Sequence, residues 1–298
     1  MSIIMDENTT VVVQGITGRE GSLRTRYMKD YGTKVVAGVT PGKGGAEVHG
    51  IPVYDTVREA IRQHGPITAA CTFIPGPALK GAVYEAIDAG IKFVSSPVER
   101  IPIHDVIDMV SYARRNGVML LGPGSLGLIS PGKAVIGWLG GSIDWAGTLF
   151  QPGPIGVISR SGGQSGTVPW ALKVAGLGIS TAMHIGTEPV LGLTMADVLK
   201  MFEKDEQTKA VAIFGEIGGT MEEEAAEVVA NKEFTKPLVV FIAGAWAPEG
   251  MRFSHASSIV EKGRGTAKGK MKALTDAGAF VVDSPEEIAP KIKELTGL

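Results

Sequence analysis

The sequence predicts an α/β protein made of two successive domains, each built on a mostly parallel sheet. Short runs of apolar and β-branched residues alternate with amphipathic segments along both halves of the chain. This alternation is typical of parallel α/β sheets. The chain has 298 residues. A typical domain has roughly 100 to 200 residues, so we expect two units of similar size.

The first half contains runs that favour strands, with helix-forming segments between them. We place the strands at 10–14, 34–39, 69–74, 93–95 and 119–121, and the helices at 21–31, 56–63, 77–89 and 102–116. Cys71 is the single cysteine and lies within the third apolar run, so we interpret it as a core strand residue. A chain with one cysteine has no internal disulfide framework, which fits a reducing compartment.

The alternation stops in the middle of the chain, where glycine, proline and aromatic residues leave no clear periodicity. We therefore predict a linker at 129–154, between domains at 1–128 and 155–298. In the second half we place strands at 155–159, 180–184, 210–214, 238–243 and 280–282. Five helices follow these strands, the last at 285–295.

The composition describes a globular protein without a nucleic-acid footprint. Hydrophobic residues make up 44% of the chain, the formal net charge is -2, and there are 41 glycines. These values give no indication of disorder, and we expect neither nucleic acid nor a membrane as a partner. We find no signal peptide and no apolar run long enough to span a membrane, and we expect a cytoplasmic location.

A glycine-rich turn follows the first predicted strand. Gly15, Gly18 and Gly21 are spaced so that a strand runs through a tight turn into a helix. Such a turn allows a diphosphate to approach the amide groups at the start of the helix. The segment therefore predicts a site for the diphosphate of a nucleotide cofactor.

The end of the second strand carries a lysine where an NAD site has an acid. Asp or Glu at that place would hold the ribose hydroxyls, but the loop here contains Lys43 among glycines. A lysine attracts a phosphate on the ribose, which fits coenzyme A with its 3′-phosphate or, less well, NADP. Lys43 could equally be a surface lysine in a turn. The segment 73–77 ends the third strand at a ligand-binding edge, or is only a rigid turn.

Two further segments of the second half have the sequence of anion sites. Residues 159–166 end a strand and open a helix, so amide groups and the helix dipole face the same crevice. Residues 215–219 repeat this arrangement and offer Glu216 as an acceptor for a histidine N–H. Glu216 could also be an ordinary acid at a helix start.

His255 is the candidate nucleophile. A neutral imidazole nitrogen attacks phosphorus well, and amide groups at helix starts can hold the transferred phosphoryl group. We interpret the other charged groups and the indoles as structural. We expect Glu222, Glu223 and Glu224 to form a solvated helix start, Lys268, Lys270 and Lys272 to form an exposed helical face, and Trp138, Trp145 and Trp170 to pack internally.

Six segments together resemble a known family. They are residues 31–45, 85–92, 157–162, 201–205, 215–219 and the run around His255. On these segments the chain resembles, from about residue 2 to 295, the α subunits of succinate-CoA ligases in the nucleoside-diphosphate-forming acyl-CoA synthetase family. The resemblance implies an N-terminal Rossmann-like CoA-binding domain, followed by a flavodoxin-like parallel α/β ligase domain that carries a phosphohistidine.

The resemblance also implies roles for individual residues, with no metal site on this chain. His255 is the phosphorylated residue and Glu216 holds it. We assign CoA contacts to Gly15, Thr17, Gly18, Arg19, Glu20, Gly21, Val39, Thr40, Pro41, Lys43, Phe73, Ile74 and Pro75. We assign substrate or phosphate contacts to Ser159, Arg160, Ser161, Gly162 and Gly163. A β subunit with an ATP-grasp domain would bind ATP or GTP with Mg²⁺, and a small carboxylic acid would be the acyl donor.

Several positions depart from the family pattern around the expected acid pocket. Gly124 and Ser125 replace Asn and Cys, Ser254 and Ser257 replace glycines beside the histidine, and residues 186–189 read Gly-Thr-Glu-Pro rather than Gly-Gly-Asp-Pro. The segment 136–147 is longer than usual, and residues 159–165 look more like the ATP-citrate lyase and citryl-CoA synthetase branch. We therefore predict succinate as the acid, with citrate or another di- or tricarboxylate as the alternative. An NADP-dependent oxidoreductase and a non-catalytic CoA-binding module are the competing classes.

Overall fold

Two seven-stranded sheets form the framework of the protein. The structure, a computed structural model, describes residues 2–246 and 265–298. Helices are interleaved with the strands in both sheets, so the predicted α/β fold class is confirmed. Within the described part of the chain, no helix has the length and apolar character needed to cross a membrane.

The first sheet has the strand order of a Rossmann fold. Its elements are β1 (Thr10–Gln14), α1 (Arg19–Tyr31), β2 (Lys34–Val39), β3 (Glu47–Val48), β4 (Ile51–Tyr54), α2 (Val57–His64), β5 (Ala69–Thr72), α3 (Gly76–Asp88), β6 (Phe93–Ser95), α4 (Ile103–Arg115) and β7 (Met119–Leu121). The strand order is β3-β4-β2-β1-β5-β6-β7, and only the β3–β4 pair is antiparallel. The chain reverses its direction of winding between β1 and β5, where open sheets bind ligands.

The second sheet combines a flavodoxin-like parallel core with an antiparallel hairpin. Its elements are β8 (Gly127–Ser130), β9 (Ala134–Gly137), α5 (Ile143–Leu149), β10 (Pro152–Ser159), α6 (Thr167–Val174), β11 (Ile179–His184), α7 (Met195–Lys204), β12 (Ala210–Glu216), α8 (Met221–Ala230), β13 (Leu238–Ala243), α9 (Ala267–Asp276), β14 (Phe280–Val282), a 3₁₀ turn (Pro285–Glu287) and α10 (Ile288–Thr296). The order is β14-β13-β12-β10-β11-β8-β9. The reversal of winding lies between β10 and β12.

The predicted strands are all present, with small differences at their ends. The third strand ends at Thr72 rather than residue 74, because α3 already begins at Gly76 with Pro75 as its N-cap. Proline disfavours helical backbone in the residue before it, so Ile74 lies outside the helix, in the short connection between β5 and α3. Strands β3 and β4 were not predicted. Strand β3 has only two residues, and β4 contains Pro52, a residue type that argues against a strand.

The predicted linker, residues 129–154, contains regular structure. Strands β8 and β9 form a hairpin that pairs antiparallel with β11, and α5 follows them. All residues of both strands are buried, so neither shows the alternation of a half-exposed strand. The expectation of an irregular segment is therefore wrong, while the domain limits stay a prediction.

The hairpin joins the two halves of the molecule. The Thr33 hydroxyl, just after α1, donates to the carbonyl of Val135 (2.7 Å) and accepts from its N–H (2.9 Å). The Ser130 hydroxyl donates to the carbonyl of Met5 at 2.8 Å. One cluster of buried apolar side chains includes residues of both sheets, so the second sheet does not fold over a core of its own.

Candidate active site

Two positions after β1 have room only for glycine, one in the turn itself and one at the start of α1. Gly15 has a φ of +80°, and a Cβ there would lie 2.3 Å from the carbonyl oxygen of Phe73. A Cβ at Gly21 would lie 2.1 Å from the Gly15 oxygen. The Gly15 N–H donates to the Val39 carbonyl at 2.7 Å. The ends of β1, β2 and β5 are therefore held together around a tight turn that has no side chain at Gly15 or Gly18.

The start of α1 can accept an anion. Its N-cap is Gly18, and no side chain caps its first amide groups, which leaves them available to a ligand. Glu20 lies in the first turn and pairs with Arg24 at 3.2 Å on the helix surface. The exposed side chains around this crevice are those of Thr17, Arg19, Glu20, Pro41, Lys43 and Pro75.

The loop after β2 is shaped by an acid that sequence reasoning missed. Asp55 Oδ1 accepts from the backbone N–H groups of Lys43 (3.1 Å) and Gly44 (2.9 Å). The Thr17 hydroxyl donates to that of Thr40 at 3.1 Å and so links this loop to the glycine turn. Because the backbone of Lys43 is fixed, its exposed ammonium group is presented at the rim. The signal for Asp55 was its position directly before Thr56, the N-cap of α2.

The segment after β5 forms another side of the first crevice, next to the turn after β1 and the loop after β2. The Phe73 N–H continues the ladder by donating to the Gln14 carbonyl at 2.9 Å. The Phe73 ring lies 6.2 Å from the Trp138 ring, and Arg24 Cζ lies 4.6 Å from the centroid of that same indole. Phe73 and Ile74 are half-buried. Trp138, which follows β9, thus packs against the first half as expected.

The loop after β10, residues 159–163, forms the first side of a second crevice. We call it the β10 loop. The Ser159 hydroxyl donates to the Ser161 carbonyl (2.8 Å) and accepts from the Ser161 N–H (3.2 Å). A Cβ at Gly163 would have no atom within 4 Å, so this end of the loop is open. No side chain caps α6, whose N-cap is Gly166.

The buried side chain of His184 hydrogen-bonds to the backbone of the β10 loop. His184 Nδ1 accepts from the Leu126 N–H at 2.9 Å, so Nε2 carries the proton and donates to the Arg160 carbonyl at 3.1 Å. These two backbone partners define the neutral tautomer. A Cβ at Gly162 would lie 3.3 Å from Cε1 of His184. His184 closes β11, and sequence reasoning did not select it.

The Arg160 side chain is completely buried in an ion cluster. Its Nη1 lies 3.3 Å from Glu222 Oε2 and donates to the Gly218 carbonyl at 2.8 Å. Lys270 Nζ donates to the same carbonyl at 2.8 Å and forms a very short ion pair with Glu222. Burial alone would raise the pKa of Glu222, but the two cations outweigh it and hold the pKa below its usual range. The phosphate contact predicted for Arg160 stays a prediction.

Two predictions about exposure are wrong here. Glu222 and Lys270 are fully buried, whereas we expected a solvated helix start and an exposed lysine face. Helical residues are about 100° apart around the axis, so Lys270 points away from the exposed Lys268 and Lys272. Spacing by two residues never defines a helical face.

The turn at the end of β12, residues 216–219, faces the β10 loop. We call it the β12 turn. Glu216 is 9% exposed, and its N–H donates to Glu222 Oε1 at 3.1 Å. The Ile217 N–H donates to the Ala243 carbonyl (3.3 Å), and the Gly218 N–H donates to the Gly265 carbonyl (2.8 Å). The β12 turn therefore touches the chain on both sides of segment 247–264. His255, Ser254 and Ser257 lie outside the described residues.

The two loops whose sequences depart from the family pattern, residues 122–125 and 186–189, pack against each other near the β10 loop. A Cβ at Gly124 would lie 2.3 Å from Oγ1 of Thr187, so the threonine fills the space that a side chain at position 124 would need. The Ser125 hydroxyl forms a very short hydrogen bond to the His184 carbonyl and accepts from the Gly127 N–H at 3.0 Å. Residues 122–125 and 186–189 thus form one packed unit beside the second crevice.

Two tryptophans that we expected to pack internally lie on the surface. Trp145 is 56% exposed and Trp170 is 51% exposed, so that interpretation is wrong. They line a groove of about 720 Å³ between α5, α6 and α10. Apolar residues at exposed helix positions carry no periodic signal that separates packing from surface, which is why the sequence misled here.

Comparison with known proteins connects both crevices to one family. A family model described as "CoA binding domain" matches residues 6–96, and one described as "CoA-ligase" matches residues 158–280. The ADP-forming succinate-CoA ligase α subunit of Aquifex aeolicus is 47% identical over 99% of this chain and 95% of its own length. An α subunit of the same name from Archaeoglobus fulgidus is 48% identical over 99% and 98%. An ADP-forming sulfoacetate-CoA ligase subunit from Bilophila wadsworthia is 44% identical over the whole of both chains.

A solved structure shares the fold. ATP citrate lyase from Methanosaeta concilii superposes with a TM-score of 0.89 at 23% identity, over 99% of this chain. The chain spans about half the length of that lyase, 50%. The predicted Rossmann-like and flavodoxin-like halves correspond to the two matched family models. By its full-length identity to curated relatives, the chain belongs to the CoA-ligase family that contains the α subunits of ADP-forming succinate-CoA ligases.

Proposed function

We propose that the chain is the phosphohistidine-bearing α subunit of an ADP-forming acid–CoA ligase, with succinate as the acid. Relatives at 47% and 48% identity carry the name of ADP-forming succinate-CoA ligase, so we assign ATP as the nucleotide. A β subunit with an ATP-grasp domain would bind ATP and Mg²⁺. We also propose that the protein acts in the cytoplasm.

One observation carries the proposal. The β10 loop and the β12 turn lie on either side of the reversal of winding in the second sheet, where α/β folds bind ligands. The chain on each side of segment 247–264, which includes His255, hydrogen-bonds to the β12 turn through Ala243 and Gly265. The chain that carries His255 therefore leaves and returns beside the β12 turn, which supports the proposal that His255 acts at this crevice.

The proposed reaction transfers a phosphoryl group through His255. A nitrogen of His255 attacks the γ-phosphorus of ATP, forming an N–P bond as the bond to ADP breaks. An oxygen of the substrate carboxylate then attacks phosphorus, and the N–P bond breaks to give an acyl phosphate. A thiol sulfur attacks the acyl carbon and expels phosphate, while a base accepts the thiol proton. Dividing the reaction in this way protects the phosphoryl group from transfer to water.

The nearly buried Glu216 carboxylate would orient His255. It would accept the N–H of one ring nitrogen and leave the other nitrogen free to attack. A carboxylate in this position also stabilises the cationic phosphorylated ring.

The first crevice would bind CoA, which supplies the thiol. Its turn leaves no room for a Cβ at Gly15 or Gly21, as is typical of the tight strand–turn–helix elements that bind a diphosphate. The uncapped amide groups of α1 would bind the diphosphate, and Lys43 at the rim would pair with the 3′-phosphate.

Acid-labile phosphorylation tests the function directly. The chain is produced with its β partner, given radiolabelled ATP, and compared with His255→Ala and His104→Ala. His104 is exposed on α4 and serves as the matched control. We expect label on the wild type and on His104→Ala, and none on His255→Ala. Label that persists in His255→Ala would overturn the proposal.

The acid is identified by what discharges the label in the presence of CoA. We expect succinate to discharge it fastest. Sulfoacetate is the second candidate, because the Bilophila wadsworthia relative is 44% identical over its full length. Preferential discharge by citrate would instead support the citryl-CoA synthetase alternative. CoA binding without any label would indicate the non-catalytic module.

A further inference from the structure

We infer that Arg160, Glu222 and Lys270 are positioning residues, which hold the β12 turn against the β10 loop and the start of α9. We call these three side chains the ion cluster. The inference rests on the proposed function, because the residue that the cluster would orient is Glu216, the proposed partner of His255. Among the described residues, the side chains of the cluster contact one another, Glu223 and the backbone of the β12 turn, so we assign them a role that acts through the position of this turn.

The ion cluster forms hydrogen bonds with two backbone groups of the β12 turn. Glu222 reaches back from the first turn of α8, and its Oε1 accepts the N–H of Glu216 at 3.1 Å. The carbonyl of Gly218 accepts from Arg160 Nη1 and Lys270 Nζ, each at 2.8 Å. The N–H of Glu216 and the carbonyl two residues later are thus fixed by charged partners, which form stronger hydrogen bonds than neutral ones.

Each member of the cluster comes from a different element around the crevice. Arg160 belongs to the β10 loop, Glu222 to α8 and Lys270 to the first turns of α9. Gly265, just before α9, accepts from the Gly218 N–H at 2.8 Å and leaves no room for a side chain, since its Cβ would lie 2.9 Å from Gly218 Cα. The cluster therefore sets the distance between the β10 loop, the β12 turn and the chain that follows segment 247–264.

The charge arrangement favours a positioning role over a purely stabilising one. Arg160, Glu222 and Lys270 are all fully buried, and Glu223 lies 3.5 Å from Lys270 with 29% of its side chain exposed. Apolar side chains of similar volume would stabilise such an interior at least as well as buried ions do. Buried ions do, however, impose one geometry, because each partner must keep its hydrogen bonds.

The first test is Lys270→Met in the complex with the β partner. Displacement of reacting groups by about 1 Å costs a rate factor of about 100, so we expect kcat and the rate of His255 labelling to fall about 10- to 100-fold. The KM for CoA and the Kd for CoA should stay within about twofold, because the CoA crevice belongs to the first sheet. Lys270→Arg should recover much of the lost rate by restoring the charge.

Lys272→Met is the matched control. Lys272 lies on the same helix, but its side chain is 73% exposed and pairs only with Asp276 among the described residues. We expect its labelling rate and kcat to equal those of the wild type. A Lys270→Met protein that folds and is labelled at the wild-type rate would overturn the inference, while the proposed function would stand.

Glu222→Gln decides the question if Lys270→Met does not fold. The amide keeps the shape and one oxygen acceptor, but removes the charge that holds both cations. The inference expects slower labelling of the folded complex with unchanged CoA affinity, and unchanged labelling would refute it. Failure of the proposed function is distinguishable from failure of this inference, because the wild-type complex would then carry no label, or His255→Ala would still be labelled.

Discussion

Gly15 determines whether the first crevice can receive a diphosphate. Its φ of +80° costs any other residue strain, and a Cβ would lie 2.3 Å from the Phe73 carbonyl oxygen. We expect Gly15→Ala to raise the Kd for CoA at least about tenfold and to lower stability by about 1–3 kcal/mol. Isothermal titration and urea unfolding measure the two effects. Gly81→Ala, in α3 with nothing near its Cβ, is the control and should leave CoA affinity unchanged.

Lys43 is expected to recognise one phosphate of CoA. Its backbone is fixed by Asp55, and its side chain is exposed. We predict that Lys43→Met weakens binding of CoA by about three- to tenfold, as expected for a solvent-screened charge pair of about 1 kcal/mol. Binding of dephospho-CoA, which lacks the 3′-phosphate, should not change. Equal losses for both ligands would mean that Lys43 contacts another part of the molecule.

The places of the site segments in the fold were predictable where strand ends alone determine them, while the contacts of these residues with ligands stay predictions. The glycine turn, the β10 loop and Glu216 each follow a strand that the sequence shows clearly, and parallel strands bring their carboxyl ends to one edge. Glu222 and Lys270 were not predictable in this way. Their contact joins positions 48 residues apart, and nothing local distinguishes a buried charge from a solvated one before the partner is known.

At the scale of elements, helix starts differ in how their first amide groups are satisfied. Helix α7 has a complete capping box, in which Thr194 Oγ1 accepts from the Asp197 N–H (3.2 Å) and Asp197 Oδ2 accepts from the Thr194 N–H (3.0 Å). Helices α1 and α6 at the two crevices have no side-chain cap. Helices α3, α4, α8 and α10 also lack a side-chain cap, so a missing cap leaves donors available to an anion but does not by itself mark a site.

This contrast predicts a difference in stability between two threonine substitutions. Thr194→Ala removes the cap of α7 and should lower the free energy of unfolding by about 1 kcal/mol, within a range of about 0.5–2 kcal/mol. Thr220→Ala, at the N-cap of α8, removes no side-chain cap bond and should cost less than about 0.5 kcal/mol. Urea unfolding of both variants provides the comparison. Equal losses would show that the capping box contributes nothing beyond helix propensity.

At the scale of the whole molecule, the two sheets share one interior. The apolar cluster that contains Cys71 of the first sheet also contains Phe150 and Val157 of the second half. Thr33 adds two hydrogen bonds to Val135 across the junction. This continuity passes through the β8–β9 hairpin, which the sequence did not reveal because both strands are buried on both faces. We therefore expect the two halves to unfold together rather than as separate two-state units.

Two probes on opposite halves test this cooperativity. Burial raises the pKa of Cys71 to about 12, so its thiol should react with a thiol reagent only after the first sheet opens. Trp138 packs on Phe73 and Arg24 of the first half, so the fluorescence is followed in a Trp138→Phe protein, whose remaining tryptophans, Trp145, Trp170 and Trp246, lie in the second half. We expect thiol labelling and tryptophan fluorescence to give the same urea midpoint. Thr33→Val should lower both midpoints together, since it leaves the Val135 N–H and carbonyl without a partner at a cost of about 1–3 kcal/mol. Labelling of Cys71 at urea concentrations that leave the fluorescence unchanged would show instead that the first sheet unfolds by itself.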